Sequence, residues 1–179
     1  PLASSQDHKR LLDNDLGPNT GGMGAFSPAP ICTTELEQRI LKEVMQPTVE
    51  AMQQQGTPFT GFLYAGLMIK ENGQINVLEF NCRLGDPETQ PLMMRLESDL
   101  LKLCLLAQNK QLHTAQPKWD PRHALTVVMA SKGYPLSYNK GMVIEGLNQP
   151  CDNGKVFHAG TKLNHKEIIT DGGRVLGVT

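Results

Sequence analysis

The chain has 179 residues, with 17 Lys and Arg against 18 Asp and Glu, a formal net charge of −1, and 39% hydrophobic and 20% charged residues. That length can bury a core in one domain or two small ones, and the composition is that of a globular protein, not a disordered one. The balanced charge excludes a broadly basic nucleic-acid surface, and no apolar run approaches the roughly 18 residues of a membrane span.

Along the chain, residues 1–31 hold turn formers and few signs of regular structure. Asp13-Asn14-Asp15 and Gly17-Pro18-Asn19 read as turns, and Asn19-Thr20-Gly21-Gly22-Met23-Gly24 reads as a glycine-rich loop. Thr34-Glu35-Leu36-Glu37 matches a capping box with Thr34 as N-cap, and Leu36, Ile40, Leu41, Val44 and Met45 follow at helical spacing. Pro47 must kink or restart that helix, and Gly56 ends it. Residues 59–69 read as a strand that is apolar on both faces and therefore covered on both sides. Asn72-Gly73 is a hairpin signal leading into a strand from Gln74 to Asn81.

A helix is expected from about Gln90 to Ala107, burying Leu92, Met93, Leu96, Leu100, Leu103 and Cys104. Residues 113–122 are polar and proline-containing, and mark a linker between residues 1–112 and 123–179. Trp119 reads as packing at that junction. Short strands are expected near 123–130, 142–146, 155–160, 166–170 and 174–178, a β-rich module. The apolar run ending in Val178 breaks off in mid-strand, which predicts that the chain is a fragment.

The densest chemistry lies in Glu79-Phe80-Asn81-Cys82-Arg83-Leu84-Gly85-Asp86-Pro87-Glu88. On a strand, Glu79 and Asn81 project to the same side, roughly 7 Å apart at the backbone. A carboxylate and an amide oxygen suit a hard cation such as Mg²⁺, and Arg83 offers a fork for phosphate. A polar strand edge is the plain alternative. Against it, Arg83, Asp86 and Glu88 crowd beside an apolar hairpin, where charge needs compensation that a metal and phosphates would supply.

Two other segments are more ambiguous. The loop Gly17–Gly24 is either a flexible turn or a phosphate cradle made of backbone amides, and it is neither a Walker loop nor GxGxxG. Asp7-His8-Lys9-Arg10 is either a solvated patch or a grip for carboxylate or phosphate. The four cysteines have no paired or zinc-type spacing, which predicts reduced thiols in a cytosolic protein. The five histidines are scattered, so a zinc enzyme is not expected.

Several long segments, in order, carry a resemblance. They are Gln6-Asp7-His8-Lys9-Arg10, Gly17 to Gly24, Gly61 to Met68, Glu79 to Gln90, Lys155 to Thr161 and Gly172 to Leu176. Together they resemble the phosphoribosylamine–glycine ligases (glycinamide ribonucleotide synthetases) of purine biosynthesis over essentially the whole chain. Leu84 stands where many members are expected to carry Phe.

The resemblance implies an α+β fold, namely the C-terminal half of an ATP-grasp core (an antiparallel sheet with helices) followed by an incomplete β-rich C-terminal domain. It implies an ATP-dependent carbon–nitrogen ligase that joins glycine to 5-phospho-β-D-ribosylamine through glycyl phosphate, releasing ADP and phosphate. Glu79 and Asn81 would hold Mg²⁺ or Mn²⁺, and Arg83 would stabilise the transferring phosphoryl group. Asp86 or Asp7 would meet the glycine ammonium. Asn19, Thr20, Gly21, Gly22, Gly24 and Glu88 would line the substrate pocket, with Lys9 or Arg10 near phosphate. Members also carry an earlier α/β domain and an adenine clamp, so these residues are expected to be inactive alone. The rival readings are another ATP-grasp carboxylate–amine ligase and a non-catalytic scaffold.

Overall fold

A computed structural model describes residues 1–179. Its first element is a hairpin of β1 (Gln6–Leu12) and β2 (Leu16–Ser27), where the sequence reads as turns and loop. The turn part of that reading holds. Asn14 and Asp15 both take φ of 56°, a left-handed conformation that Asn and Asp tolerate and a tight hairpin demands.

The loop reading does not hold. Gly17 to Gly24 runs within β2, though with a large irregularity: the ladder steps from Gly24 to Asn19 on β2 while β1 moves only from His8 to Arg10. Glycine suits this strand because backbone approaches it closely. A Cβ on Gly24 would sit 2.8 Å from the Thr126 carbonyl oxygen.

Thr33, not Thr34, caps the first helix, α1 (Thr34–Ile40), because its hydroxyl accepts from the Leu36 N–H at 3.2 Å. Pro47 is absorbed by a local change of helix type. A π-helical turn over Leu41–Met45 separates α1 from α2 (Gln46–Gln54), which places Pro47 in the first turn of α2. Helical backbone angles run on through Ile40, Met45 and Gln46, so the π-helical turn accommodates the missing Pro47 N–H within one continuous helix.

β3 (Tyr64–Ile69) pairs antiparallel with β4 (Ile75–Asn81), with a bulge beside Gly66. The strand expected over 59–69 is thus five residues shorter, since its start is irregular around Pro58 and Gly61. Nor is this hairpin covered on both faces, because Met68, Val77, Leu78 and Phe80 are exposed.

The single helix expected over 90–107 is two helices, α3 (Thr89–Arg95) and α4 (Leu100–Gln108). Asp99 restarts the helix by accepting from the Lys102 N–H at 3.1 Å, while Leu96 leaves helical geometry and bridges to Trp119. α4 is amphipathic only in part, and Cys104 is exposed.

β5 (Ala124–Ala130), β6 (Val156–His158), β8 (Glu167–Thr170) and β9 (Arg174–Val178) match expected strands, and β7 (Thr161–Asn164) is an additional one. No strand forms at 142–146, where Val143 makes an isolated bridge to Ile169.

One five-stranded antiparallel sheet, in the order β1-β2-β5-β9-β6, draws strands from both sides of residues 113–122. α3 packs on its β2 and β5 strands. Ala25, Ser27, Thr126, Val128 and Leu92 are buried on these elements, and Val175 and Leu176 on β9.

Arg95 is buried there too and binds the connection down. It donates to Ser27 Oγ at 2.8 Å and to the carbonyls of Asp120 and Arg122 at 3.2 and 2.9 Å. It also lies 5.7 Å from the centre of the Trp119 ring. No helix of the structure is long and apolar enough to cross a membrane.

Candidate functional site

Where the β1–β2 hairpin meets the end of the β3–β4 hairpin, a small cleft opens. β1 supplies Asp7 and Lys9, and the irregular stretch of β2 supplies Gly21. β3 contributes Tyr64, β4 contributes Glu79 and Asn81, and the segment after β4 contributes Arg83, Gly85, Asp86 and Glu88. Strand alternation therefore does what the sequence predicts, because Glu79 and Asn81 face the same cleft. Asn81 pairs with Tyr64 across the ladder and Glu79 pairs with Gly66.

Charge within the cleft is arranged across strands. The Lys9 ammonium lies 3.7 Å from Glu79 Oε1 and 3.8 Å from Asp7 Oδ2, so one cation is shared between two acids. Glu79 keeps about half of its side-chain surface exposed (52%), which leaves it accessible to a further cation. Arg83 is exposed and donates Nη1 to the Leu84 carbonyl at 3.0 Å. Its remaining donors point to no carboxylate, as suits a residue waiting for an anion.

Glu88 is a different kind of acid. It is only 4% exposed, and its Oε1 accepts from the Tyr64 hydroxyl at 2.8 Å. Burial pushes its carboxyl up from the ordinary range, and the Tyr64 hydrogen bond opposes that rise. Burial, then the bond to Glu88, also pushes the Tyr64 hydroxyl up, with the charges of Asp7 and Glu79 adding to it. Tyr64 therefore stays protonated and donates.

Asp86 is held from the far side of the sheet. Arg174, at the start of β9, forks onto its carboxylate at 2.8 and 3.2 Å. It also donates to the Gly21 and Asp86 carbonyls at 2.7 and 3.0 Å.

Of the residues expected to bind substrate, Asp7, Lys9, Gly21, Asp86 and Glu88 line this cleft together with Arg83, Glu79 and Asn81. Arg10, Asn19, Thr20, Gly22 and Gly24 do not. Arg10 turns away and donates to the Gly17 carbonyl at 2.8 Å, while Asn19 pairs with Arg10 in the ladder. Thr20 Oγ1 donates to the Lys9 carbonyl at 2.7 Å and accepts from the Gly22 N–H at 3.0 Å. Gly24 sits between β1 and β5.

The Gly21 and Gly22 amides already have partners, so the backbone cradle imagined for a free loop is not available there. Sequence reasoning missed Tyr64, Gly85 and Arg174. Tyr64 was legible in principle, as an aromatic hydroxyl on the strand that pairs with Asn81. Arg174 was not, because only the fold brings it across 88 residues to Asp86.

The donor set can be tested against a metal. No cluster of three or more His, Cys, Asp or Glu side chains is present that would hold an ion by protein ligands alone. Glu79 and Asn81 offer one carboxylate and one amide oxygen, which fits a Mg²⁺-type ion that takes the rest of its shell from phosphate oxygens and water. It does not fit zinc or a closed structural site.

Residues 1–89 match the family model for the phosphoribosylglycinamide synthetase ATP-grasp (A) domain, and residues 124–179 match the one for the phosphoribosylglycinamide synthetase C domain. The chain is 58% identical to the phosphoribosylamine–glycine ligase of Vibrio vulnificus over 180 aligned residues, covering 100% of this chain and 42% of that protein. The ligase of the same name from Allochromatium vinosum is 60% identical, with the same coverage. A solved phosphoribosylamine–glycine ligase from Thermotoga maritima superposes with a TM-score of 0.81 at 35% identity, over 98% of this chain and 43% of that one. The chain thus spans a little over two fifths of the relatives it matches.

Proposed function

The chain belongs to the phosphoribosylglycinamide synthetase family, and from that premise we propose that it carries the phosphoryl-transfer cleft of an ATP-dependent ligase. The reaction joins glycine to 5-phospho-β-D-ribosylamine. ATP phosphorylates the glycine carboxylate, and the ribosylamine nitrogen then attacks the resulting glycyl phosphate, giving glycinamide ribonucleotide, ADP and phosphate. The matched portion is 42% of the Vibrio relative, so we assign the complete reaction to a polypeptide that contains these residues, not to these residues by themselves. We place that polypeptide in the cytosol, in keeping with a biosynthetic role and with four cysteines that lack paired spacing.

One observation carries the reading. Glu79, Asn81 and Arg83, adjacent in sequence, share a cleft with Asp7 and Lys9 from a different hairpin. Phosphoryl transfer needs charge neutralisation and alignment, with little covalent work by the protein. Glu79 and Asn81 would hold Mg²⁺ or Mn²⁺, which when bound neutralises phosphate charge. Arg83 would draw charge from the transferring phosphoryl group and steady the acyl phosphate. Lys9, already balanced between Asp7 and Glu79, would shift toward an incoming phosphate oxygen. Both Asp86 oxygens are engaged by Arg174, which supports Asp7 as the acid that takes the glycine ammonium.

The test is glycine-dependent ADP formation by a ligase containing this sequence, with bicarbonate and formate as competing carboxyl substrates. With phosphoribosylamine present, glycine should support turnover and neither competitor should. Glu79→Gln should raise the Mg²⁺ needed for half-maximal rate by at least about tenfold. Turnover with bicarbonate or formate would point to a different carboxylate–amine ligase. An unchanged Mg²⁺ dependence would remove Glu79 from the metal shell.

A further inference from the structure

We propose that Arg174 is a positioning residue. From β9 it sets the Gly21–Asp86 wall of the cleft, and so couples the C-terminal strands to binding of the carboxylate and amine substrates.

The evidence lies in what its guanidinium touches. Nη2 donates to Asp86 Oδ2 at 2.8 Å and Nη1 to Asp86 Oδ1 at 3.2 Å, a fork on one carboxylate. Nη1 also reaches the Asp86 carbonyl at 3.0 Å and the Gly21 carbonyl at 2.7 Å, with a longer contact to Gly22. Its side chain is 21% exposed and that of Asp86 54%, so the fork is shielded on the arginine side only.

A second residue from beyond the linker completes the hold. The Tyr134 hydroxyl accepts from the Gly21 N–H at 2.9 Å. Both backbone polar groups of Gly21 are therefore bonded to side chains that lie 113 and 153 residues away. A side chain at position 21 would crowd the guanidinium, because a Cβ there would lie 3.0 Å from Arg174 Cζ.

Gly21 and Asp86 both line the cleft, whereas Arg174 and Tyr134 do not. Their action on chemistry must be indirect. Neither makes a hydrogen bond to Glu79, Asn81 or Arg83. Losing Arg174 should therefore disturb the Gly21–Asp86 wall and leave the nucleotide end alone.

This rests in part on the ligase reading, so the test has one arm that does not. In a polypeptide that contains this sequence, amide hydrogen exchange is compared for the parent, Arg174→Gln, Arg174→Lys and Tyr134→Phe. Arg174→Gln should speed exchange over residues 20–24 and 85–88 by about tenfold or more, with α2 unchanged as the internal control. Arg174→Lys keeps the charge but not the fork, and should fall between. Tyr134→Phe should speed the Gly21 amide alone. Should Arg174→Gln not fold, Asp86→Asn breaks the same fork from the other side and should speed exchange over 85–88. Unchanged exchange in these segments overturns the proposal, whatever the reaction is.

In a ligase containing this sequence, Arg174→Lys should raise the KM for glycine or for phosphoribosylamine by about fivefold or more, with the KM for MgATP within about twofold. A fall in kcat with every KM unchanged would mean a purely structural staple and would overturn it.

Discussion

Tyr64→Phe isolates one hydrogen bond while keeping the ring. The Tyr64 hydroxyl donates to Glu88 Oε1 at 2.8 Å, and Glu88 is 4% exposed. Removing the donor leaves a buried carboxylate with one fewer partner. A hydrogen bond to a charged group is worth about 1.5–3 kcal/mol and one to a neutral group about 0.5–1.5.

The pH dependence follows from Glu88. Burial raises its carboxyl above the ordinary value of 4.5, and the Tyr64 bond pulls the other way. An acid whose folded pKa lies above its unfolded one contributes its full stability below the unfolded value. That contribution is lost as pH rises through the folded one. Deleting the Tyr64 hydroxyl pushes Glu88 further up, so the cost of the substitution grows from acid to neutral pH.

At pH 7 the expected loss is about 1.5–3 kcal/mol, or roughly 3–12 °C in Tm for a chain of this size. At pH 4, where Glu88 carries its proton more often, it shrinks toward about 0.5–1.5 kcal/mol. Urea unfolding followed by Trp119 fluorescence, with parent and variant compared at each pH, measures both. A loss at pH 7 below about 0.5 kcal/mol, or one equal at the two pH values, would refute the assignment of a buried, ionised Glu88 supported by Tyr64.

Other expectations are simpler. Gly22→Ala should destabilise by about 2–4 kcal/mol, through overpacking and a left-handed backbone. Gly22 has φ of 112° and a Cβ there would lie 2.5 Å from Pro87 Cδ; a thermal melt followed by circular dichroism reads the effect. Thr33→Ala should cost about 1 kcal/mol of stability, while Thr34→Ala should cost less than half of that, because only Thr33 caps α1. Equal losses in denaturant titration would contradict that cap. Glu79→Gln and the Arg174 series, described above, test the metal shell and the wall.

Much of the chemistry was written locally. Glu79, Asn81 and Arg83 lie within five residues, and the two-residue period of a strand is enough to place the first two on one side. The Asn72-Gly73 turn and the strands at 124–130 and 174–178 were legible for the same reason, since their turn residues and alternation act over a few positions.

What was misread depended on distant partners. The glycine-rich stretch looks like loop because glycine has no intrinsic strand preference, yet β1 pairs along it and β5 joins at Gly24, which makes it a strand. The helix after Pro87 looks continuous, yet Asp99 and the bridge of Leu96 to Trp119 divide it.

Sequence by itself therefore settled that Glu79, Asn81 and Arg83, the residues proposed to meet metal and phosphate, stand together, because they lie on or just after one strand. Only the tertiary structure decided which other groups surround them. Lys9 reaches Glu79, Tyr64 supports Glu88, and Arg174 grips Asp86 through pairings that span tens of residues. Such pairings form when sheet and core packing bring the strands together, and no short stretch of sequence encodes them.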